Sequence, residues 1–309
     1  MSSHHSGSLT QQGGESIRVN TLLSQRLLAR IIKPLRSRTT AFRHAFRRLS
    51  SRSPDNLIVS LTTFPPRVGK VHAVVESLLS QSVRVRKIVL YLSLCEFPDQ
   101  SIPRPLSNLL QERFEIRFVP DNFGPYKKLL YALDDFPGCW IATCDDDRVC
   151  PPDWLARLWN AALDYPQTII CTRGRRIVSQ AGSFRPYEEW PKVKLFGPSF
   201  FLLPVGSWGV LYPPSSFCSM IGDLELIRTL APLQDDLWFK VMSMKRDVPC
   251  LAVGGHEFMR KLEFDDQTRL WELNQTQNDI VWRTLLQHFH LDLDSMSGKE
   301  RRHFSASSS

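Results

Sequence analysis

The chain has 309 residues, a formal net charge of +8, 42% hydrophobic residues and 23% charged residues. This composition excludes a wholly disordered, collagen-like or coiled-coil protein. The length accommodates two ordinary domains, or one large α/β domain with an extension.

Positive charge is concentrated in an N-terminal extension, residues 1–54. Residues 16–54 contain ten Lys or Arg and no Asp or Glu, so the remainder of the chain is close to neutral. Residues 1–16 are polar and are predicted to be disordered. Between residues 22 and 35, apolar residues recur at helical spacing opposite basic ones, which predicts a short basic amphipathic helix.

Three roles are consistent with this extension. Residues 17–52 could bind an anionic membrane surface, since basic residues and an apolar face coincide there. The helix could instead pack on the folded body, or the segment could be an organellar targeting peptide. Nucleic acid is not an expected partner, because the body does not interleave aromatic and basic residues.

The cysteines and the apolar segments indicate where in the cell the protein is expected. The seven cysteines show no paired C-x-x-C spacing and are interpreted as reduced. Residues 1–16 lack the apolar core of a signal peptide. The apolar stretch 195–214 is interrupted by Pro and Gly, so it is interpreted as buried strand and loop and not as a membrane span. The expected location is therefore cytoplasmic, with peripheral attachment at the inner face of the membrane as an option.

Alternating apolar runs and helical segments follow Pro54. This alternation predicts βαβ units and an open, mostly parallel α/β sheet with helices on both faces. The predicted strands are Leu57–Leu61, Lys87–Leu92, Glu115–Val119, Trp140–Thr143 and Thr168–Thr172. The second half is less regular.

In that second half, apolar loops are expected from 184 to 214. Helices are expected over about 235–245 and 279–289, with a short strand near 251–253. A polar tail is expected over 291–309.

Three consecutive aspartates, Asp145, Asp146 and Asp147, follow the predicted strand Trp140–Thr143. Ligand sites of open α/β sheets lie beyond the carboxyl ends of the strands. Alternate side chains of extended backbone share a face, so Asp145 and Asp147 are expected to point together. A divalent cation would relieve their repulsion, and Mg²⁺ or Mn²⁺ suits such a site. The alternative is a solvated acidic loop that caps the next helix.

A second acidic pair, Asp235 and Asp236, precedes an amphipathic helix. Aspartate at a helix start is a common cap. A carboxylate pair in an apolar setting can also supply a general base, because one member has a raised pKa. We expect Asp235 to cap the helix and Asp236 to act as the base.

Several segments together resemble one family. They are Ile58–Arg67, Tyr126–Leu129, Asp145–Asp147, Gly209–Pro214, Asp235–Phe239 and Asn278–Asp279. In this combination the chain resembles bacterial family-2 glycosyltransferases of surface-polysaccharide synthesis, which have the GT-A (nucleotide-diphospho-sugar transferase) fold. The resemblance covers about residues 56–289. It implies one domain over 55–290, with a nucleotide-binding half at 55–178 and an acceptor half at 179–290.

The resemblance also implies roles for particular residues. Nucleotide-binding positions map to Thr62, Thr63 and Arg67. A D-x-D metal site maps to Asp145 and Asp147, with Asp146 beside the donor and His256 as a further metal ligand. The general base maps to the pair Asp235 and Asp236.

Lys127 or Lys128 could add positive charge for the leaving diphosphate, and Lys127 is assigned to the donor. The implied reaction is metal-dependent transfer from a nucleotide sugar, with a UDP-sugar favoured, to a glycan or lipid-linked acceptor. Inversion at the anomeric carbon is expected.

Two other functions are consistent with parts of the sequence. Mg²⁺-dependent phosphatases of the aspartyl-phosphate type also use D-x-D at a strand end, but on the first strand of their domain. A basic adaptor that binds membrane or RNA through residues 16–54 would lose its function with that segment. A glycosyltransferase would keep donor binding after the same deletion.

Overall fold

The structure is a computed structural model, and it describes residues 54–264 and 270–305. The basic segment up to residue 53 lies outside the described residues. Its amphipathic helix and its attachment to a membrane therefore stay predictions.

A central sheet of eight strands organises the described part of the chain. Its strands are β1 (Leu57–Thr62), β2 (Lys87–Ser93), β3 (Phe114–Val119), β4 (Trp140–Thr143), β6 (Ile169–Cys171), β11 (Leu195–Ser199), β13 (Val210–Tyr212) and β14 (Cys250–Val253). Their order across the sheet is β11-β14-β6-β13-β4-β1-β2-β3. Strands β4, β1, β2 and β3 are mutually parallel, and so are β6 and β14.

Short strands form smaller sheets beside the central one. They are β5 (Arg148–Val149), β7 (Gly174–Arg176), β8 (Ser179–Gln180), β9 (Ser183–Phe184), β10 (Lys192–Val193), β12 (Leu202–Pro204) and β15 (Arg260–Lys261). Strand β5 pairs with β15, and β7 lies between β10 and β12. Strand β5 directly follows the aspartate triplet Asp145–Asp147 in the chain.

Helices cover both faces of the central sheet. They are α1 (Pro65–Val68), α2 (Val71–Leu79), α3 (Arg104–Ser107), α4 (Lys127–Asp135), α5 (Trp154–Asp164), α6 (Leu224–Leu230), α7 (Asp235–Lys245), α8 (Leu270–His288) and α9 (Leu293–Ser305). One apolar core contains residues of α2 and α5, and the other contains residues of α4, α7 and α8. The predicted α/β class, with a mostly parallel sheet covered on both faces, is confirmed.

Alternation along β1 shows how the sequence produces this layering. Leu57, Val59 and Leu61 join the core under α2 and α5, whereas Ile58 joins the opposite core. Successive side chains of a strand point to opposite faces, so a strand between two helical layers must be apolar at every position. Burial of Ser60 is compatible with this rule, because its hydroxyl donates a hydrogen bond to the Lys128 carbonyl.

The stretch 195–214, predicted to form buried strand and loop, contributes strands to the structure. Strand β13 runs antiparallel between β4 and β6, with Val210 opposite Thr143 on one side and Cys171 on the other. Among residues 54–264 and 270–305, no helix combines the length and apolar character that crossing a membrane requires. The apolar stretch over 195–214 instead forms β11, β12, β13 and a short 3₁₀ turn, Gly206–Trp208.

The C-terminal segment differs from the predicted polar tail. Helix α9 places Met296 in the core and receives hydrogen bonds on the Glu300 carboxylate. The donors are the Ser199 hydroxyl at 2.7 Å and the Phe200 backbone N–H at 2.7 Å. Lys299 of the same helix pairs with Asp247. The sequence does not reveal this helix, because its few contacts are with residues distant in the chain.

We expect Gly209→Ala to destabilise the fold by about 2–4 kcal/mol. Gly209 has φ +97°, and a Cβ there would lie 2.5 Å from the Trp154 ring. Gly197→Ala is the matched control, since a Cβ at Gly197 meets no atom within 4 Å. Urea unfolding of both variants checks this, and equal midpoints for the two would contradict it.

Candidate active site

The three aspartates after β4 have three different partners. Asp145 accepts a hydrogen bond from Lys128 Nζ at 2.8 Å. Asp146 accepts from Thr63 Oγ1 at 2.6 Å and from Arg67 Nη1 at 3.1 Å. Asp147 Oδ1 lies 3.3 Å from Arg148 Nε in an ion pair. The chain thus supplies a cation to each carboxylate of the triplet.

Lys128 joins the triplet to the second acidic pair. Its Nζ lies 2.8 Å from Asp145 and 3.2 Å from Asp235 Oδ2, and its side chain is 6% exposed. The lysine is on the first turn of α4, which follows the 3₁₀ turn Gly124–Tyr126. One buried ammonium therefore links an aspartate after β4 with an aspartate on α7.

The acidic pair begins α7, where the sequence predicts a helix starting at residue 235. Asp235 does not cap this helix: Gln234 is the N-cap residue and makes no side-chain capping bond. The Asp235 carboxylate is held by Lys128 instead. Both oxygens of Asp236 accept from the Gly206 backbone N–H, at 3.0 and 3.2 Å.

Burial and mutual repulsion set the protonation of the second pair. Burial raises the pKa of Asp236 to about 8, and the neighbouring Asp235 charge adds to this rise. Burial also raises the pKa of Asp235, although the Lys128 ammonium opposes it. Asp236 thus holds a proton near neutral pH and can release it slightly above, which is the property of a general base.

The aspartate triplet is electrostatically uneven. Despite burial, the Lys128 ammonium keeps the pKa of Asp145 below its ordinary value. Burial raises the pKa of Asp146 to about 6, against the opposing effects of Thr63 and Arg67. Burial and the charge of Asp145 raise the pKa of Asp147. Asp145 is therefore the most strongly ionised member of the triplet.

The residues predicted to bind the nucleotide have separate partners. Thr63 and Arg67 hold Asp146, whereas Thr62 Oγ1 donates to the Tyr91 carbonyl at 2.8 Å. Lys127 lies away from the aspartates: its Nζ is 2.6 Å from Glu96 Oε2 and 3.0 Å from Asn122 Oδ1. The structure therefore brings Lys128 to Asp145 and Asp235, whereas Lys127 pairs with Glu96.

A divalent metal is consistent with part of this donor set. Asp147 Oδ1 is buried and has no hydrogen-bond donor, although it lies near Arg148. Asp147 also experiences the charge of Asp145, so the two carboxylates are close enough to repel each other. Mg²⁺ and Mn²⁺ use one or two carboxylates and complete their shell with water and phosphate oxygens. Asp145 and Asp147 fit such an ion.

The role of His256 as a third metal ligand stays a prediction, and its observed contacts are with Trp208 and Glu257. Its ring packs edge-on against Trp208 with centroids 5.1 Å apart, and its Nδ1 lies 3.2 Å from Glu257 Oε2. Within the part of the chain that the structure describes, no group of three or more His, Cys, Asp or Glu is arranged to hold a metal ion. The aromatic contact with Trp208 accounts for the position of His256.

Two residues of the candidate site do not follow from the sequence alone. The sequence offers Lys128 only as an alternative to Lys127, and it assigns no role to Gly206. Gly206 is required at its position because a Cβ there would lie 2.7 Å from Asp236 Oδ1. Asp279, part of a segment that carries the resemblance, accepts from the Tyr187 backbone N–H at 2.6 Å and so anchors the loop beside the site.

Part of the chain matches a known protein family. Residues 71–221 match the family described as "Glycosyl transferase family 2". The match confirms the resemblance predicted from the sequence and the predicted enzyme class, a glycosyltransferase. It includes the aspartate triplet, Lys128 and Gly206 and ends before Asp235. No curated protein matches the sequence.

Solved structures show weak overall similarity. A mannosyltransferase from Pyrobaculum calidifontis, solved with GDP-Man and Mn²⁺, has 12% identity and a TM-score of 0.45; the similarity covers 75% of this chain and 63% of that one. S. aureus TarS 1-349 has 11% identity and a TM-score of 0.41, with coverages of 75% and 70%. This chain therefore corresponds to less than two thirds of the mannosyltransferase's length.

We expect Lys128→Met to destabilise the protein by about 3–5 kcal/mol, because it leaves Asp145 and Asp235 buried without their ammonium partner. Adding Asp235→Asn to the same variant should restore part of the loss. Urea unfolding of the wild type, both single variants and the double variant measures the coupling. Strictly additive effects would show that the Lys128–Asp235 contact contributes nothing.

Proposed function

Taking the family-2 glycosyltransferase match over residues 71–221 as the premise, we propose that this chain transfers a sugar from a nucleotide-sugar donor to an acceptor hydroxyl, with inversion. The observation that supports this most directly is the meeting of Asp145 and Asp235 on the Lys128 ammonium. A donor-binding carboxylate and the segment that carries a base then face one site, as direct transfer requires.

In this proposal Asp145 and Asp147 hold Mg²⁺ or Mn²⁺. The ion, when bound, supplies positive charge to the diphosphate of the donor. Asp146 would stay with Thr63 and Arg67, so that it orients the loop after β1 instead of binding metal. Thr62, Thr63 and Arg67 lie at or just after the carboxyl end of β1, where a nucleotide is expected.

Asp236 is the proposed general base. The acceptor oxygen forms a bond to the anomeric carbon while the bond from that carbon to the diphosphate oxygen breaks. The acceptor proton passes to the Asp236 carboxylate, which the Gly206 N–H holds in place through both oxygens. Attack from the face opposite the leaving diphosphate inverts the anomeric centre.

Lys128 has a positioning role in this scheme. Its ammonium balances the negative charge of Asp145, Asp235 and Asp236, all of which raise its own pKa against the effect of burial. It stays charged, and it orients Asp145 toward the donor side while Asp235 faces it from α7. The assigned donor role of Lys127 stays a prediction, because its ammonium is engaged by Glu96 and Asn122.

A screen of UDP- and GDP-sugars with Mn²⁺ or Mg²⁺ tests the proposed donor class, and a UDP-sugar is the favoured one. Asp147→Asn should abolish metal-dependent binding of the nucleoside diphosphate, since it removes one of two protein carboxylates from the ion. Asp153→Asn is the control, because the Asp153 side chain is half-exposed and pairs with Arg157. Titration calorimetry with and without chelator checks this. Unchanged binding in Asp147→Asn would exclude the metal site.

Asp236→Asn should lower kcat by about 10²–10⁴ and leave donor binding nearly intact. In the wild type, kcat should rise with pH through about 8, since Asp236 must lose its proton to accept another. The variant should lose that pH dependence. Product analysis with an α-linked donor should show a β-linkage by proton NMR. An α-linked product would remove Asp236 from this role.

A further inference from the structure

Two arginines contact Trp208, the last residue of the Gly206–Trp208 turn, and a third contacts Tyr187. The Arg148 guanidinium lies 4.0 Å and the Arg173 guanidinium 5.1 Å from the centroid of the Trp208 ring. Arg175, two residues after Arg173, lies 4.6 Å from the centroid of the Tyr187 ring. The turn thus binds the proposed base through Gly206 at its start and two guanidiniums through Trp208 at its end.

This cluster contains more positive charge than the described residues neutralise. Arg148 has Asp147 at 3.3 Å, and Arg175 donates to the carbonyls of Tyr187 and Trp190 at 3.5 and 3.1 Å. Arg173 has no ion pair or hydrogen bond from its side chain within residues 54–264 and 270–305. Partial burial, followed by the charges of Arg175 and Arg148, lowers the pKa of Arg173.

Crowded cations in a partly buried place carry an electrostatic cost that a bound anion removes. Arginine is the side chain best suited to a phosphate, because its planar fork donates two parallel hydrogen bonds. Carboxylates of the adjoining loop do not serve this purpose: Glu189 is paired with Arg185, and Glu257 lies beside His256.

The cluster borders the turn that holds the proposed base, because Trp208 and Gly206 belong to the same 3₁₀ turn and Gly206 donates to Asp236. Burial raises the pKa of Tyr187 to about 12; Arg175 lowers that pKa, whereas Asp236 raises it. The Tyr187 phenol therefore lies within electrostatic reach of both the arginine and the proposed base. The loop that carries Tyr187 is held by Asp279 from α8, which fixes this arrangement.

We propose that Arg173, with Arg148 and Arg175, binds a phosphate or diphosphate group of the acceptor, so that the acceptor is a phosphate-bearing molecule. This inference rests on the proposed function and narrows it, because it adds a charge requirement to the acceptor. The anion would sit beside Trp208 while the acceptor hydroxyl approaches Asp236.

Binding of inorganic pyrophosphate to the full chain, measured by calorimetry in metal-free buffer at fixed low salt, tests the site. Arg173→Gln should weaken pyrophosphate binding by about tenfold to a hundredfold, the typical effect of losing charged hydrogen bonds. Arg173→Lys should bind pyrophosphate with an affinity between those of the wild type and Arg173→Gln. Arg176→Gln is the matched control, since this exposed neighbour on β7 lies over Phe196 at 5.9 Å. Thermal unfolding of each variant verifies folding.

A second arm separates the acceptor anion from the donor diphosphate. Arg173→Gln should bind a nucleoside diphosphate with Mn²⁺ as tightly as the wild type. If Arg173→Gln weakened the binding of pyrophosphate and of the nucleoside diphosphate equally, the arginines would belong to the donor site and the proposal would be overturned. Pyrophosphate binding that does not depend on Arg173 would also overturn it. Absence of nucleotide binding in the wild type would instead refute the proposed function, while the pyrophosphate arm would still decide whether the anion site exists.

Discussion

The buried ammonium of Lys128 is the interaction on which the acidic site depends. Asp145 follows β4 and Asp235 begins α7, and both lie within 3.2 Å of this one nitrogen. Without it, the carboxylates of Asp145 and Asp235 would face each other in a medium of low dielectric constant, at a cost of several kcal/mol. The Ser60 hydroxyl of β1, bonded to the Lys128 carbonyl, fixes the lysine to the sheet.

Asp236 shows how the same surroundings produce a reactive group. Lys128 satisfies Asp235, while Asp236 has the weaker support of one backbone N–H from Gly206. Its pKa of about 8 lies far above that of a free aspartate, so the folded state favours the protonated form. Stability contributed by that proton is present below a pH of about 4 and is lost as pH rises toward 8. Reactivity and stability are thus opposed at this residue.

The first half of the fold follows from local patterns. Strands β1 to β4 are close to their predicted bounds because an apolar run between two helical layers needs no tertiary information to be recognised. The sequence also predicts the start of α7 at Asp235. For the stretch 195–214 the sequence indicates buried strand and loop but not the bounds of β13, since three apolar residues carry no period that separates a strand from a loop. The sequence does not reveal helix α9, because a polar segment is held by contacts with distant residues, among them those of Met296, Glu300 and Lys299.

The sequence by itself determined that carboxylates follow a buried strand and begin a later helix, since both facts depend on neighbours in the chain. It could not decide which lysine serves them. Lys127 and Lys128 are adjacent, and successive residues of a helix point about 100° apart, so the two side chains reach different surroundings. Only the tertiary structure directs Lys128 to Asp145 and Asp235 and Lys127 to Glu96, because helix phase and sheet register together set which side chain reaches the site.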